Sequence, residues 1–500
     1  MFYKPFIALL CYIFVYTTVA AQQKLSRLRT IITTDGEVDD QDSFIRLLLY
    51  SNEFNIEGLV YSSSQWHYKG DGKGTLFTSE MKYTAERYGK RTELRWPGTD
   101  WMQSFIDKYA LVYNNLLLHD KNYPAPPYLK SIVKTGNIDF EGSMDHNTEG
   151  SDFIKKILLD DKPGPVYLQV WGGTNTIARA LQSIEDDYRD KPQWDAINQK
   201  ISEKAILYTV LDQDATYKKY IAPHWPRIKV MYNADQFWCL AYPWPRVVPP
   251  ALQPYMRGKW MAENIKHNHG PLLSGYFLWG DGQHIAGDPE HTQGDTAEAR
   301  KLSMGQYDFI SEGDSPAFFY LVDVGLRSRE DASFGGWGGR MVQSATNPRR
   351  WEDGKTITDY NPYTQKQDAS FPQTRWIDAL QNDFAARADW CVKSYALANH
   401  APVPALQHAA NLHAQPGELV KLGCSVKDPD NNPVDCKWWQ YEEADSYGGK
   451  IALTNPTQQQ SSFTVPADAQ KGNTIHIILD VTDTGSPRLT RYQRVIVTVD

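Results

Sequence analysis

The chain has 500 residues, enough for two or three domains with a sizeable core. A formal charge of −8 without a dense basic cluster argues against a nucleic-acid partner. Five cysteines are too few for a disulfide scaffold, while 16 Trp and 29 Tyr suit sugar-stacking surfaces as well as a large core.

In chain order, residues 1–21 have the form of a secretory signal. Lys4 supplies the charge, residues 6–15 the apolar run, and Thr18, Val19, Ala20 and Ala21 the small residues before a cleavage site at Gln22. The apolar run is too short to span a membrane comfortably, and Cys11 lacks the small residue that precedes a lipoprotein cysteine. No other segment reads as transmembrane. The expected location is therefore secreted or periplasmic. Of the remaining cysteines, none has zinc-ligand spacing with matching histidines. Cys424 and Cys436 are the expected bridge in an exported β-rich segment, and Cys239 and Cys391 are expected as buried thiols.

Residues 31–42, Ile-Ile-Thr-Thr-Asp-Gly-Glu-Val-Asp-Asp-Gln-Asp, are where the chemistry is expected. Five carboxylates (Asp35, Glu37, Asp39, Asp40, Asp42) follow a β-prone run. Phe44, Ile45, Leu47, Leu48 and Leu49 then mark the apolar side of a helix. Strand, acidic turn and helix open an α/β fold, in which ligands bind at the carboxyl ends of strands. Crowded carboxylates either protonate or share a cation, and an all-oxygen ligand set favours Ca²⁺ or Mg²⁺ over zinc. Helix capping alone would also explain Asp39, Asp40 and Asp42. An EF-hand loop from Asp35 is excluded, because Asp40 and Arg46 stand where it needs Gly and Glu. An aspartate-nucleophile phosphatase is excluded by Glu37 in the place of its second Asp. The segment Asp35-Gly36-Glu37-Val38-Asp39-Asp40 resembles the Asp-Pro-Gly-x-Asp-Asp signature of nucleoside hydrolases, departing from it at Gly36 and Glu37. Thr33 also stands where that family has an earlier aspartate. The resemblance implies that Asp35 and Asp40 bind Ca²⁺, that Asp35 activates the attacking water, and that Asp39 holds a sugar hydroxyl.

The second apolar run, residues 56–61, ends in Ser62-Ser63-Ser64-Gln65-Trp66-His67. Gln65 falls where the family has a sugar-binding Asn. Trp66 either stacks on a substrate ring or packs under a loop, and His67 has no partner visible in sequence. Residues 70–74 read as a turn, 78–88 as a helix, and Glu149 as the start of another. A buried strand over 165–171 leads into Gly172-Gly173-Thr174-Asn175-Thr176-Ile177-Ala178. This resembles the family's Gly-x-Leu-Thr-Asn-Ile-Ala motif, whose Thr carbonyl binds the calcium, and implies the same for Thr174. A glycine turn with a Thr or Asn cap is the bland alternative.

Strands are expected over 205–211 and 228–233. Asp212 and Asp214 either reach substrate or cap the next helix. The loop-rich segment 260–314 is expected to carry recognition residues. It ends in Glu312-Gly313-Asp314-Ser315-Pro316, similar to the His-Asp pair that closes the family's calcium shell. Asp314 is thereby implied as a ligand, while Gly313 occupies the histidine position. Trp337, among glycines, is either a sugar platform or a packed corner. Together with 333–340 and 375–390, these motifs resemble a secreted, cellulose-binding, nucleoside-hydrolase-like branch across essentially the whole mature chain.

Residues 396–416 are expected as a linker between a nucleoside hydrolase-like domain (22–395) and a sandwich. Beyond them, period-two alternation at Val420, Leu422, Cys424 and Val426, and again at Ile475, Ile477, Leu479 and Val481, predicts an immunoglobulin-like β-sandwich over 417–500. One of Trp438 and Trp439 is expected in its core, and the other exposed for sugar or buried against the first domain.

The expected fold is α/β with a mostly parallel sheet, plus this sandwich. Expected metal ligands are Asp35, Asp40, Thr174 and Asp314. Expected substrate contacts are Asp39, Gln65, Glu37, Asn175 and Trp66, with Asp35 catalytic. The expected activity is calcium-dependent hydrolysis of a furanosidic or ribosyl bond in a carbohydrate or nucleoside. The alternative is a non-catalytic polysaccharide (cellulose)-binding protein. A homo-oligomer is compatible with either.

Overall fold

Strand β1 (Leu28–Thr34) is the centre of the molecule, and its position follows from its sequence: Ile31 and Ile32 are fully buried, one on each face. A strand apolar on both faces belongs inside a parallel sheet covered by helices. The computed structural model describes residues 27–287, 301 and 303–500, so the signal expected over 1–21 lies outside the described residues.

After β1 come helix α1 (Val38–Tyr50) and strand β2 (Phe54–Tyr61). Helices α2 (Lys82–Tyr88) and α3 (Trp101–His119) precede strands β3 (Val133–Thr135) and β4 (Val166–Val170). Strands β5 (Ala205–Val210), β6 (Lys229–Asn233), β7 (Val342–Gln343) and β8 (Arg350–Glu352) complete the sheet. Its order is β3-β2-β1-β4-β5-β6-β8-β7, parallel throughout except for the antiparallel β7–β8 edge. The chain leaves β1 toward β2 on one side and returns to β4 on the other. The switch point therefore lies between the carboxyl ends of β1 and β4, where such sheets open a crevice for ligands.

Helix α1 was expected to be amphipathic, yet it is buried almost all round; of its 13 residues only Asp39 is not fully buried. Phe44 meets Trp101 of α3 edge-on at 5.4 Å between ring centroids, and burying one such side chain stabilises by about 1.5–3 kcal/mol. The polar Arg46 is tolerated there because it pairs with Glu312 at 2.7 Å. The helix expected over 78–88 is shorter, starting at Lys82.

A hairpin of β9 (Asp359–Asn361) and β10 (Lys366–Asp368) follows the sheet, and then the helix Ile377–Trp390. The stretch expected as a linker carries two strands, β11 (Val403–Leu406) and β12 (Asn411–Ala414). They pair with β13 (Leu419–Lys427) and β17 (Thr490–Val499), so the β unit begins before residue 417. With β14 (Val434–Gln440), β15 (Gln460–Thr464) and β16 (Thr474–Asp483), they form two sheets ordered β11-β13-β15 and β12-β17-β16-β14. Period-two alternation fills the space between them with Leu422, Trp438, Ile477, Leu479 and Val497.

The outer face of the second sheet is not free. Tyr441, Ile478 and Tyr492 belong to the same apolar cluster as α1 and α3. The Arg375 guanidinium lies 4.7 Å from the Trp439 ring and 4.5 Å from that of Tyr441, and pairs with Asp359. Trp438 is thus the core residue, and Trp439 packs against the α/β part. Two further expectations are corrected. Cys424 and Cys436 are free, buried thiols; they project from strands of opposite sheets without a covalent bridge. Trp337 is a packed corner, 1% exposed and edge-on to Phe319, because docking of the sandwich covers it.

Candidate functional site

Asp35 leaves the end of β1 and is followed by a turn that only glycine fits. Gly36 has φ +83°, and a Cβ there would lie 2.6 Å from Pro97 Cγ and 2.7 Å from Trp101 Nε1. Proline, fixed near −65°, is excluded from that backbone. From the β4 side, Gly172 closes over Asp35, with an added Cβ only 2.9 Å from the Asp35 Cγ. Strand-to-strand bonds from Trp171 N to the Thr33 carbonyl (2.9 Å) and from Ser62 N to the Thr34 carbonyl (2.8 Å) hold the three strand ends together.

The first turn of α1 brings Asp39 and Asp40 beside Asp314. One carboxylate oxygen from each lies within 4.8 Å of the other two. Asp40 accepts a short hydrogen bond from the Thr34 hydroxyl. Asp39 accepts bonds from Tyr242 (3.4 Å) and Ser311 (3.4 Å), and Glu37 accepts one from Tyr242 (2.8 Å). Burial and the neighbouring Asp35, Asp314 and Asp39 charges raise the Asp40 carboxyl well above its ordinary range. Burial, then Asp39, Asp35 and Glu37, does the same to Asp314. Such a set holds protons unless a cation replaces them. Oxygen-only donors at this spacing fit a hard divalent ion.

Asp35 stands next to the cluster rather than within it. It is 1% exposed, and neither of its carboxylate oxygens has a hydrogen-bond partner. His67 Nδ1 lies 3.5 Å from Asp35 Oδ2 and 3.8 Å from Glu37 Oε2. Burial alone would raise the Asp35 pKa, but His67, Asp40 and Ser64 outweigh it and lower it. Asp35 is thus shifted in the opposite direction from Asp40 and Asp314.

The remaining expected residues divide. Thr174 is buried in the Gly172 loop; its carbonyl accepts Ala178 N at 2.9 Å, leaving one lone pair. Its hydroxyl bonds Asp214 at 3.2 Å. The side-chain amide of Asn175 is spent on the framework, donating to Ser63 Oγ (2.9 Å) and the Asn137 carbonyl (2.8 Å) and accepting Thr176 N (2.9 Å). It fixes the loop. Gln65 accepts Thr84 Oγ1 at 2.7 Å. Trp66 is half-buried at the rim. Asp212 caps Tyr217 N and Lys218 N, whereas Asp214 accepts Thr216 N and also Asn175 N, tying its own turn to the Gly172 loop. Asp314 caps no helix through its side chain. At Gly313 an added Cβ would lie 2.9 Å from Asp39 Oδ2, so a histidine like that of the resembling family would have to displace the Asp39 carboxylate. Sequence reasoning underrated His67 and missed Tyr242 and Ser311, because only folding brings them to the acidic turn.

No helix among the described residues is long and apolar enough to cross a membrane. No curated protein matches the chain in sequence. The chain is similar to a solved structure described as a nucleoside hydrolase-related hypothetical protein from Saccharophagus degradans that is associated with carbohydrate metabolism. The two are 25% identical with a TM-score of 0.68, over 95% of this chain and 100% of the other. Weaker likenesses are the effector protein XOO4466 (11% identity, TM-score 0.35, 73% of this chain and 94% of the other) and the plant nucleoside hydrolase PpNRh1 (10%, 0.30, 73% and 98%). Residues 419–499 match the family described as cellulose-binding protein Sde0182, C-terminal domain. Residues 29–341, which include the acidic turn, the Gly172 loop and Asp314, match the cellulose-binding Sde182, nucleoside hydrolase-like domain, and the chain belongs to that family.

Proposed function

We propose that the protein is an exported glycosidase that hydrolyses a furanosidic or ribosyl bond of a glycan or nucleoside at a calcium site. The observation that carries this reading is the convergence of Asp39, Asp40 and Asp314 beside the buried Asp35 at the sheet's switch point. Asp40, Asp314 and the Thr174 carbonyl would hold Ca²⁺, with Asp39 and Asp35 adjoining. When bound, the ion supplies a lowered water pKa and anchorage for a sugar diol. Asp35 has a free carboxylate oxygen with which to take a proton from the attacking water. Carboxylates beneath the ring favour an oxocarbenium-like transition state. Asp39 and Glu37, fastened by Tyr242, are placed to orient sugar hydroxyls, with Gln65 and Trp66 at the rim. In this reading residues 1–21 are a cleaved signal, and the catalytic unit extends to about residue 395.

One observation favours a second reading, a non-catalytic polysaccharide-binding protein: glycine stands at 313 in place of a leaving-group histidine, and a side chain there would displace Asp39. Release of reducing sugar from a panel of nucleosides and plant glycans separates the two. Release that needs calcium, ceases with chelator and is lost in Asp35→Asn supports the hydrolase. Retention on a glycan without release supports the binding protein.

A further inference from the structure

The sandwich is where a separate sugar-binding module would be sought, yet none of the six aromatic residues in 417–500 is exposed. Trp438 and Phe463 lie in its core, and Tyr447 packs against that core with its hydroxyl on Asp468. Trp439, Tyr441 and Tyr492 face Trp376 of the α/β part at 6.3, 6.4 and 5.3 Å. The residues of the sandwich that suit sugar stacking are consumed by docking.

An aromatic corner opens instead beside the acidic site. Tyr83 of α2 is 60% exposed, and its ring meets that of Trp66 at 5.7 Å and 70°. Arg87 donates to the Tyr83 hydroxyl (3.2 Å), and Arg95 to that of Tyr88 (2.9 Å). The inward side of the helix is fastened by Thr84 to Gln65. The next two residues are Trp66 and His67, and the His67 ring contacts Asp35. The corner is therefore continuous with the candidate site: Trp66 and His67 share one loop, and α2 is fastened to that loop through Gln65.

We propose that Trp66 and Tyr83, with Arg87 and Tyr88, form a subsite for the neighbouring unit of a glycan chain whose terminal ring sits at the acidic cluster, and that the sandwich is a structural support. This rests on the reading of the acidic cluster as the sugar site. Two rings set nearly at right angles offer a face and an edge to the C–H surface of one sugar, and guanidinium and phenol groups meet its hydroxyls. The openness of the corner decides for a glycan over a nucleobase, since small-ligand sites enclose most of the ligand surface, whereas a chain must pass out into solvent.

The test is calorimetric binding of cellohexaose, arabinohexaose and adenosine to the full chain, as wild type, Tyr83→Ala, Trp66→Ala and the double variant Tyr360→Ala/Tyr363→Ala. The last removes two other exposed tyrosines, on the β9–β10 hairpin. Tyr83→Ala and Trp66→Ala should each weaken binding of a hexasaccharide by ~10-fold or more, with the Tyr360/Tyr363 variant unaffected. Unchanged hexasaccharide affinity in both single variants overturns the proposal. So do loss confined to the Tyr360/Tyr363 variant, adenosine binding that depends on Tyr83, and absence of hexasaccharide binding by wild type. Calcium binding, read separately in Tyr83→Ala and Asp40→Ala, shows whether the acidic-site reading stands: the first should retain it and the second lose it.

Discussion

Arg46→Met tests how the two halves of the acidic cluster are held together. Arg46 lies on α1 beyond Asp39 and Asp40, and pairs at 2.7 Å with Glu312, two residues before Asp314; both side chains are fully buried. Arg46 also donates to Gln381 at 2.6 Å and lies 3.9 Å from the Phe384 ring centroid. Methionine keeps most of the packing volume but leaves Glu312 without a counter-charge, only Tyr276 and Ser315 still donating to it. The carboxylate can escape by taking a proton. At pH 7 that costs up to about 3 kcal/mol for a group of ordinary pKa 4.5, and less to the extent that burial already raises Glu312 beside Arg46. Loss of the Gln381 bond adds about 1 kcal/mol. The sum, up to about 4 kcal/mol, falls within the range for breaking a buried pair. Near pH 5 the proton term shrinks to about 1 kcal/mol, so the variant should be markedly less handicapped there. Urea unfolding at both pH values reads this directly, and Arg46→Met/Glu312→Leu should recover most of the loss. A deficit below about 1 kcal/mol at pH 7, or one independent of pH, would refute the clamp. Calcium affinity should fall in the single variant, because the Asp314 loop is released from α1.

Asp40→Asn should act with opposite signs in two conditions. In chelator it removes repulsion from Asp35, Asp314 and Asp39 and raises the melting temperature; with calcium it abolishes the ion-induced upshift seen in wild type. Gly313→His should weaken calcium binding rather than improve turnover, because its Cβ displaces Asp39; wild-type affinity by calorimetry would show that the loop yields. Burial, against the pull of Ser79, raises the Glu141 carboxyl to about 7. Its protonated form is the one the fold favours, so its contribution is complete below the ordinary value of 4.5 and is lost as pH rises through about 7. Glu141→Gln should remove up to about 3 kcal/mol of that slope, checked by urea unfolding across the window; an unaltered slope would place the carboxyl in contact with water.

The motif order along the chain was sufficient for the fold family. Asp35 to Asp40, Gly172 to Ala178 and Asp314 each sit at a strand end or helix start, and local periodicity places them there. The alternation of Ile475, Ile477 and Leu479 likewise announces the sandwich, since a strand covered on one face must repeat every second residue. Local pattern did not reveal that residues 403–414 supply two further strands, because short edge strands carry few alternating positions.

What the sequence determined by itself is the chemistry available at each strand end: an acidic turn, a glycine loop and a returning aspartate. What only the tertiary structure decided is which of these groups meet. Asp39 rather than Asp35 completes the triad with Asp40 and Asp314, because the phase of α1 and the Arg46–Glu312 pair set where the returning loop lands. His67 reaches Asp35 because β2 lies beside β1. The fate of each tryptophan was settled in the same way. Trp337 is covered by the docked sandwich and Trp439 packs on its docking face while Trp66 stays at the rim, since exposure depends on what another part of the chain covers and not on the residues beside it.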